Sequence, residues 1–233
     1  MIPLIRLFIY KSYFNRLNDI KPSSLQPIIM FNTSEYNLPD IELLNEKTNQ
    51  FLIWIPDKVY IVLGASNQPN EALNMDNVIK DNIPVLKRPS GGQTVMLTPN
   101  NIIIAAVFFD KKASHPKEVF EHINKLIIST IENTGMQDLS LMGISDIAIS
   151  GKKILGSAIY RSKDALLYHA VLNLGEPSVT FEKYLKHPSK EPDYRLGRSH
   201  SDFVTSLKEK GYTRSYNQLE KELSLSFERS FSL

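Results

Sequence analysis

Ile144-Ser145-Asp146-Ile147-Ala148-Ile149-Ser150-Gly151-Lys152-Lys153-Ile154-Leu155-Gly156-Ser157-Ala158-Ile159-Tyr160 holds two apolar, β-branched runs, 144–149 and 154–160, on either side of a short basic turn. Such runs bounded by glycine and serine read as strands, so Ser150-Gly151-Lys152-Lys153 is expected to lie inside a sheet. Residues 165–174 alternate apolar and polar side chains well enough to form a third neighbouring strand.

Working toward the N-terminus, residues 102–109 are apolar throughout and predict a buried strand. Before them comes a second basic loop, Lys87-Arg88-Pro89-Ser90-Gly91-Gly92-Gln93, entered from 84–86 and left through 94–96. Residues 51–55 and 59–63, separated by Pro56-Asp57-Lys58, predict a hairpin, because proline and aspartate favour a tight turn between paired strands. Between 116 and 133, Val119, Phe120, Ile123, Leu126, Ile127 and Ile131 recur at helical spacing, with Pro116 suited to the first turn and Gly135 to the exit. Residues 201–210, followed by Gly211, predict a short helix. Ser215 and Gln218 make a capping box ahead of Tyr216, Leu219, Leu223 and Phe227. The expected fold is α+β: a mixed, largely antiparallel sheet with packed helices.

A chain of 233 residues is long enough for a self-sufficient core. It contains no cysteine, which excludes disulfides, thiolate metal sites and a sulfur nucleophile. The formal charge of +2, with lysine and arginine dispersed, argues against a nucleic-acid partner. No apolar stretch has the length of a membrane span, so a cytoplasmic protein is expected. Residues 1–28 carry Arg6, Lys11 and Arg16 and no acid before Asp19. They read as an N-terminal strand over 5–10 or as an extension, and organelle targeting stays open. His115, His122, His169, His187 and His200 show no metal-ligand spacing. His169 falls on the face of Leu167 and Val171, as a satisfied core histidine would, and Trp54 reads as packing.

The two basic loops suit an anionic ligand, because glycine lets backbone amides approach closely while lysine and arginine supply opposing charge. Ser90-Gly91-Gly92 completes neither a Walker loop nor a dinucleotide fingerprint, and either loop alone is equally a plain turn. Together with Asp146, seven residues before Lys153, and the small residues Gly156, Ser157 and Ala158, they concentrate a carboxylate, a cation and close-approach positions.

Arg88-x-Ser90-Gly91-Gly92, Asp146-Ile147, Gly151-Lys152-Lys153-Ile154-x-Gly156-Ser157-Ala158 and Tyr168-His169, in that order and spacing, resemble the lipoate-protein ligase A family and the wider biotin/lipoate ligases. Gly64 and Pro69 also match. The resemblance covers roughly residues 29–200 and implies the class II biotin/lipoate ligase catalytic fold over 29–233. It implies an ATP-dependent ligase that activates lipoate or octanoate as an acyl-adenylate and transfers it to a lysine of an acceptor domain. The implied acceptors are the E2 subunits of 2-oxoacid dehydrogenases and the glycine-cleavage H protein.

On that reading Lys153 is the catalytic cation. Arg88, Ser90, Gly91, Gly92, Gly156, Ser157, Ala158 and His169 line the acyl and nucleotide pocket, and Asp146 holds the nucleotide, directly or through Mg2+. The sequence departs from the family pattern at Gln93, where a third glycine is usual, at Leu97-Thr98 in place of a His-Asp pair, and at Ala65 in place of arginine. These departures leave open a catalytically impaired acyl- and nucleotide-binding scaffold, a biotin-protein ligase, or an acyltransferase. Fuller ligases of the family carry a further C-terminal domain, so a separate accessory protein is a candidate partner.

Overall fold

In the computed structural model of the chain, residues 32–109 and 115–231 are described. The strand expected over 5–10 lies outside them. Among the described residues, ten strands form two sheets. The smaller contains β1 (Ser34–Glu35), β3 (Tyr60–Leu63), β4 (Val85–Lys87) and β5 (Val95–Leu97), in the order β1-β4-β3-β5. The larger contains β2 (Gln50–Trp54), β6 (Asn101–Phe108), β7 (Leu139–Met142), β8 (Asp146–Ile149), β9 (Lys152–Arg161) and β10 (Leu166–Asn173), in the order β2-β6-β10-β9-β8-β7. Its pairings are all antiparallel, whereas the smaller sheet mixes parallel β1·β4 and β3·β4 with antiparallel β3·β5.

The expected hairpin between 51–55 and 59–63 is not formed. Both runs are strands, but β2 pairs with β6 in the larger sheet while β3 pairs with β4 and β5 in the smaller. Pro56-Asp57-Lys58 is therefore a crossing between layers. Local turn chemistry fixes a change of direction, not the partner. The strand expected from 144 begins only at Asp146, and Ile144 is exposed in the turn before it. The helix expected over 201–210 is two separate turns, α5 (His200–Phe203) and a 3-10 turn, Lys208–Lys210, because 204–207 peel away to bond with β9 and β10.

Helix α3 (Pro116–Glu132) and the C-terminal helix α6 (Tyr216–Phe231) cover one face of the larger sheet. Ile123, Ile127 and Ile131 of α3 and Leu219, Leu223 and Phe227 of α6 are fully buried with Ile102, Ile104, Tyr168 and Leu172 of the sheet. Each such side chain contributes about 1.5–3 kcal/mol. The Tyr168 hydroxyl is satisfied by Asn124 Oδ1 at 2.6 Å. The opposite face of the same strands meets the smaller sheet, where Ile103 and Val171 pack with Tyr36, Leu38, Val62, Leu86 and Leu97. Covered on both faces, β6 is apolar at successive positions rather than alternating, which explains the unbroken run in the sequence. The short helices α1 (Pro69–Ala72), α2 (Met75–Lys80) and α4 (Ser178–Tyr184) lie on the connections.

Candidate active site

Arg88 leaves the end of β4 and turns inward, only 5% exposed. Its guanidinium gathers three backbone carbonyls: Nη1 donates to Val62 O at 3.3 Å, and Nη2 donates to Gly91 O at 2.9 Å and Gln93 O at 2.8 Å. Burial pulls its pKa down to about 10, which still leaves it charged near neutral pH. The loop is thus folded around the arginine. Gly92 has φ +92°, which favours glycine, and a Cβ there would crowd Arg88 Nη2 at 3.1 Å. With the carbonyls drawn toward Arg88, nothing among the described residues accepts a hydrogen bond from the N–H of Gly91 or Gly92. Two exposed amides are available to an anion.

The second wall is built by a defect in strand pairing. Asp146 and Ile147 pair with Gly156 and Leu155, but Ala148 pairs with Lys153, so Ile154 is an extra residue in β9. Regular alternation would place Lys153 on the side of Leu155, which belongs to the helix-covered core. The bulge moves it to the face of Gly156 instead. There the lysine lies flat across the strand: Cε and Nζ sit 2.7 Å from where a Gly156 Cβ would be. Nζ pairs with Asp146 Oδ1 at 2.8 Å, and the backbone is pinned from outside by Thr205 N donating to Lys153 O at 2.9 Å. The other Asp146 oxygen accepts from Tyr194 Oη at 2.9 Å, and burial, with Asp146 beside it, raises the Tyr194 pKa.

Arg88, Gly92, Asp146, Lys153, Gly156, Ser157, Ala158 and His169 line one cavity of about 920 Å3 between the two walls. Gly91 and Ser90 are set back from its surface, Ser90 being 1% exposed. Ser157 Oγ donates to Ser145 O at 2.7 Å and ties β9 to the preceding turn. Gln93 lines the cavity, its carbonyl held by Arg88. Leu97 lines it too and packs in the apolar cluster with Val62 and Ile103, so this stretch of wall is greasy. Trp54 borders a separate, smaller hollow beside β1 and β4, not this cavity.

His169 projects from β10 opposite Ala158 and Ala105. Its Nε2 lies 2.7 Å from Ser90 Oγ and its Nδ1 3.3 Å from Asp40 Oδ2. Asp40, from the 3-10 helix Pro39–Leu44, is fully buried, and its second oxygen accepts from Tyr36 Oη at 2.7 Å. Sequence reading missed Tyr36, Asp40 and Tyr194, which stand 133, 129 and 25 residues from His169 and match no motif. It also missed Arg195 and His200, which line the cavity around Phe203. Burial, then the neighbouring Arg195, lowers His200 to about 4. Among the described residues no cluster of three or more histidines, aspartates and glutamates could hold a metal, and no helix is long and apolar enough to cross a membrane.

The site therefore offers a lysine over a glycine, a carboxylate beside it, the free amide of Gly92 and an adjoining apolar wall, a set suited to a carboxyl group being joined to a phosphate. Residues 32–228 match the family described as "Lipoyl protein ligase A/B catalytic domain". Over 125 residues the chain is 28% identical to the probable lipoate-protein ligase A of Mycoplasma pneumoniae, covering 54% of this chain and 36% of that one. The chain thus spans well under two thirds of that relative. The bi-partite lipoate protein ligase of Thermoplasma acidophilum, described with its E2 lipoyl domain, superposes with TM-score 0.66 at 18% identity, over 79% of this chain and 71% of that one. A lipoate-protein ligase A crystallised with ATP gives TM-score 0.66 at 18% identity, over 79% and 73%. These likenesses carry the fold, and the match over 32–228 carries the family: the chain belongs to the lipoyl protein ligase A/B catalytic domain family.

Proposed function

We propose that the protein is an ATP-dependent lipoate-protein ligase. Lipoate or octanoate attacks the α-phosphate of ATP, pyrophosphate leaves, and the acyl-adenylate then gives its acyl group to the side-chain amine of a lysine on a lipoyl acceptor domain. The observation that carries this reading is Lys153 laid over Gly156 and held by Asp146, inside a cavity whose opposite wall includes Gly92 with its unpaired amide. A fixed ammonium is the group needed where a carboxylate and a phosphate, both negative, must approach and where charge shifts onto the leaving group.

Arg88 acts by shaping the loop, since both of its terminal nitrogens donate to the carbonyls of Val62, Gly91 and Gln93. The apolar wall of Val62, Leu97, Ile103 and Val171 suits an aliphatic chain. Asp146 is a single carboxylate, the donor set typical of Mg2+ carried mainly on phosphates, and it would supply one oxygen to such an ion. The ligases of known structure crystallised with ATP or described with an E2 lipoyl domain support ATP as substrate and a lipoyl domain as acceptor. The glycine-cleavage H protein is the second acceptor to try.

The test incubates the protein with ATP, magnesium, lipoate and an apo lipoyl domain, with adenylate and acceptor followed by mass spectrometry. Acyl-adenylate and a lipoylated acceptor are expected, and Lys153→Ala abolishes the adenylate. Binding of an adenylate analogue without either product assigns the protein as a scaffold instead.

A further inference from the structure

We propose that Asn173 is a positioning residue for Lys153: it latches a strap, residues 204–208, and the strap fixes the stretch of β9 that carries the lysine. The proposal deepens the ligase reading and rests on it for the role given to Lys153. It starts from a split in the larger sheet. β9 and β10 pair as far as Leu155 with Leu172 and no further. One step on, where Ile154 and Asn173 would face each other, the strands part and the strap enters between them. Thr205 N donates to Lys153 O at 2.9 Å on one side, while Leu207 N donates to Asn173 O at 3.0 Å and Lys208 N to Leu174 O at 2.9 Å on the other. Lys153 therefore sits beyond the bulge, on a stretch of strand that Ala148 of β8 holds along one edge and Val204 of the strap along the other.

Thr205 is the link, and Asn173 is what holds it. The Thr205 N–H goes to Lys153, and its carbonyl accepts from Asn173 Nδ2 at 3.1 Å. Asn173 Nδ2 also donates to Glu176 O at 3.0 Å, and Oδ1 accepts from Glu176 N at 2.8 Å and from Asn101 Nδ2 at 3.4 Å. Asn173 and Thr205 are both buried, so removing a partner leaves a carbonyl without water to replace it. Asn173 lines the cavity, but an amide nitrogen carries two hydrogens and both are engaged here, so it acts on the site through the strap. On the solvent side the strap is tied a second time: Oε2 of the exposed Glu209 accepts from Thr205 Oγ1 at 2.7 Å and from Ser206 N at 3.3 Å. Asp146 fixes the tip of the lysine, whereas the strap fixes the backbone from which that tip reaches Gly156.

The test reads the lysine separately from the reaction. In isotope-labelled protein the Lys153 ammonium, paired with Asp146, is expected to give a slowly exchanging nitrogen resonance, assigned by its loss in Lys153→Arg. Asn173→Ala broadens or removes that resonance and lowers kcat for adenylate formation about tenfold or more, with KM for lipoate and for ATP within about twofold of wild type. Ile127→Ala, which opens a cavity on the helix-covered face, lowers the melting temperature and changes neither readout below the melt. Should Asn173→Ala fail to fold, Glu209→Ala loosens the same strap from solvent, with the same signature in weaker form, and Glu209→Gln, which keeps an acceptor, restores both readouts. An absent resonance in the wild type, an unchanged one in the folded strap variants, or a loss of kcat no greater than that of Ile127→Ala overturns the proposal. A resonance that responds to the strap in a wild type making no adenylate removes the ligase reading and leaves the placement of Lys153 standing, whereas adenylate formed equally fast by wild type and folded Asn173→Ala does the reverse.

Discussion

Gly156→Ala separates the placement of Lys153 from the stability of the sheet. The new Cβ would stand 2.7 Å from Lys153 Cε and Nζ and 3.6 Å from Asp146 Oδ1. Comfortable contact begins at about 3.5 Å, so the lysine tip must retreat by roughly 1 Å while Asp146 keeps its place. The obstructing atoms are the end of a flexible side chain, so the backbone stays put, and replacing glycine inside a strand by alanine tends to help folding by about 0.5 kcal/mol. A 1 Å displacement of a charge-positioning group costs about a hundredfold in rate. Acyl-adenylate formation, followed by pyrophosphate release with lipoate and ATP, is therefore expected to fall about a hundredfold while the melting temperature stays within roughly 2 °C of wild type. Wild-type turnover in Gly156→Ala would falsify the claim that Lys153 acts from its position over the glycine. A collapse in melting temperature would refute the assignment of the clash to the side chain.

Gly64→Ala meets a rigid obstacle instead: its Cβ would lie 2.0 Å from Gly92 O, so the β3 end and the 88–93 loop must separate, with a loss of about 3 kcal/mol and roughly 10 °C in melting temperature. An unchanged melt would show that the loop is not packed against Gly64. Arg88→Met leaves the carbonyls of Val62, Gly91 and Gln93 without their donor, a loss of about 2–4 kcal/mol, and speeds amide exchange around the loop. Slow exchange in the variant would contradict the role of the guanidinium as the loop's scaffold. His200, held neutral down to about pH 4 against an ordinary 6.5, stabilises the fold fully above pH 6.5, and that contribution is lost as pH falls toward 4 because the unfolded chain takes up the proton first. After allowance for its partial exposure the effect is about 1–2 kcal/mol, so urea titrations of His200→Gln should show a smaller drop between pH 7 and pH 4.5 than wild type, and parallel curves would refute it.

The strands, the long helix and the C-terminal capping box were legible in the sequence because they are local: β-branched runs, a 3.6-residue period, and Ser215 and Gln218 bonding each other's backbone N–H. So were the two basic loops, whose glycines and charges mark positions that backbone geometry and ligand chemistry constrain. The pairing of 51–55 was not legible, because a turn does not choose between two sheets. Nor was the rotation of Lys153 onto the face of Gly156, which follows from one extra residue in the pairing of β9 with β8. Asp40 and Tyr36 carry no motif, and they meet His169 only because the two sheets close on each other across more than a hundred residues of chain. The sequence by itself marked a lysine, an aspartate, an arginine and paired glycines as candidates for the site. Tertiary structure alone decided which of them face the cavity, which are spent holding the loop, and that a serine, a histidine and an aspartate stand in line behind it, because contact between distant segments is set by packing rather than by local pattern.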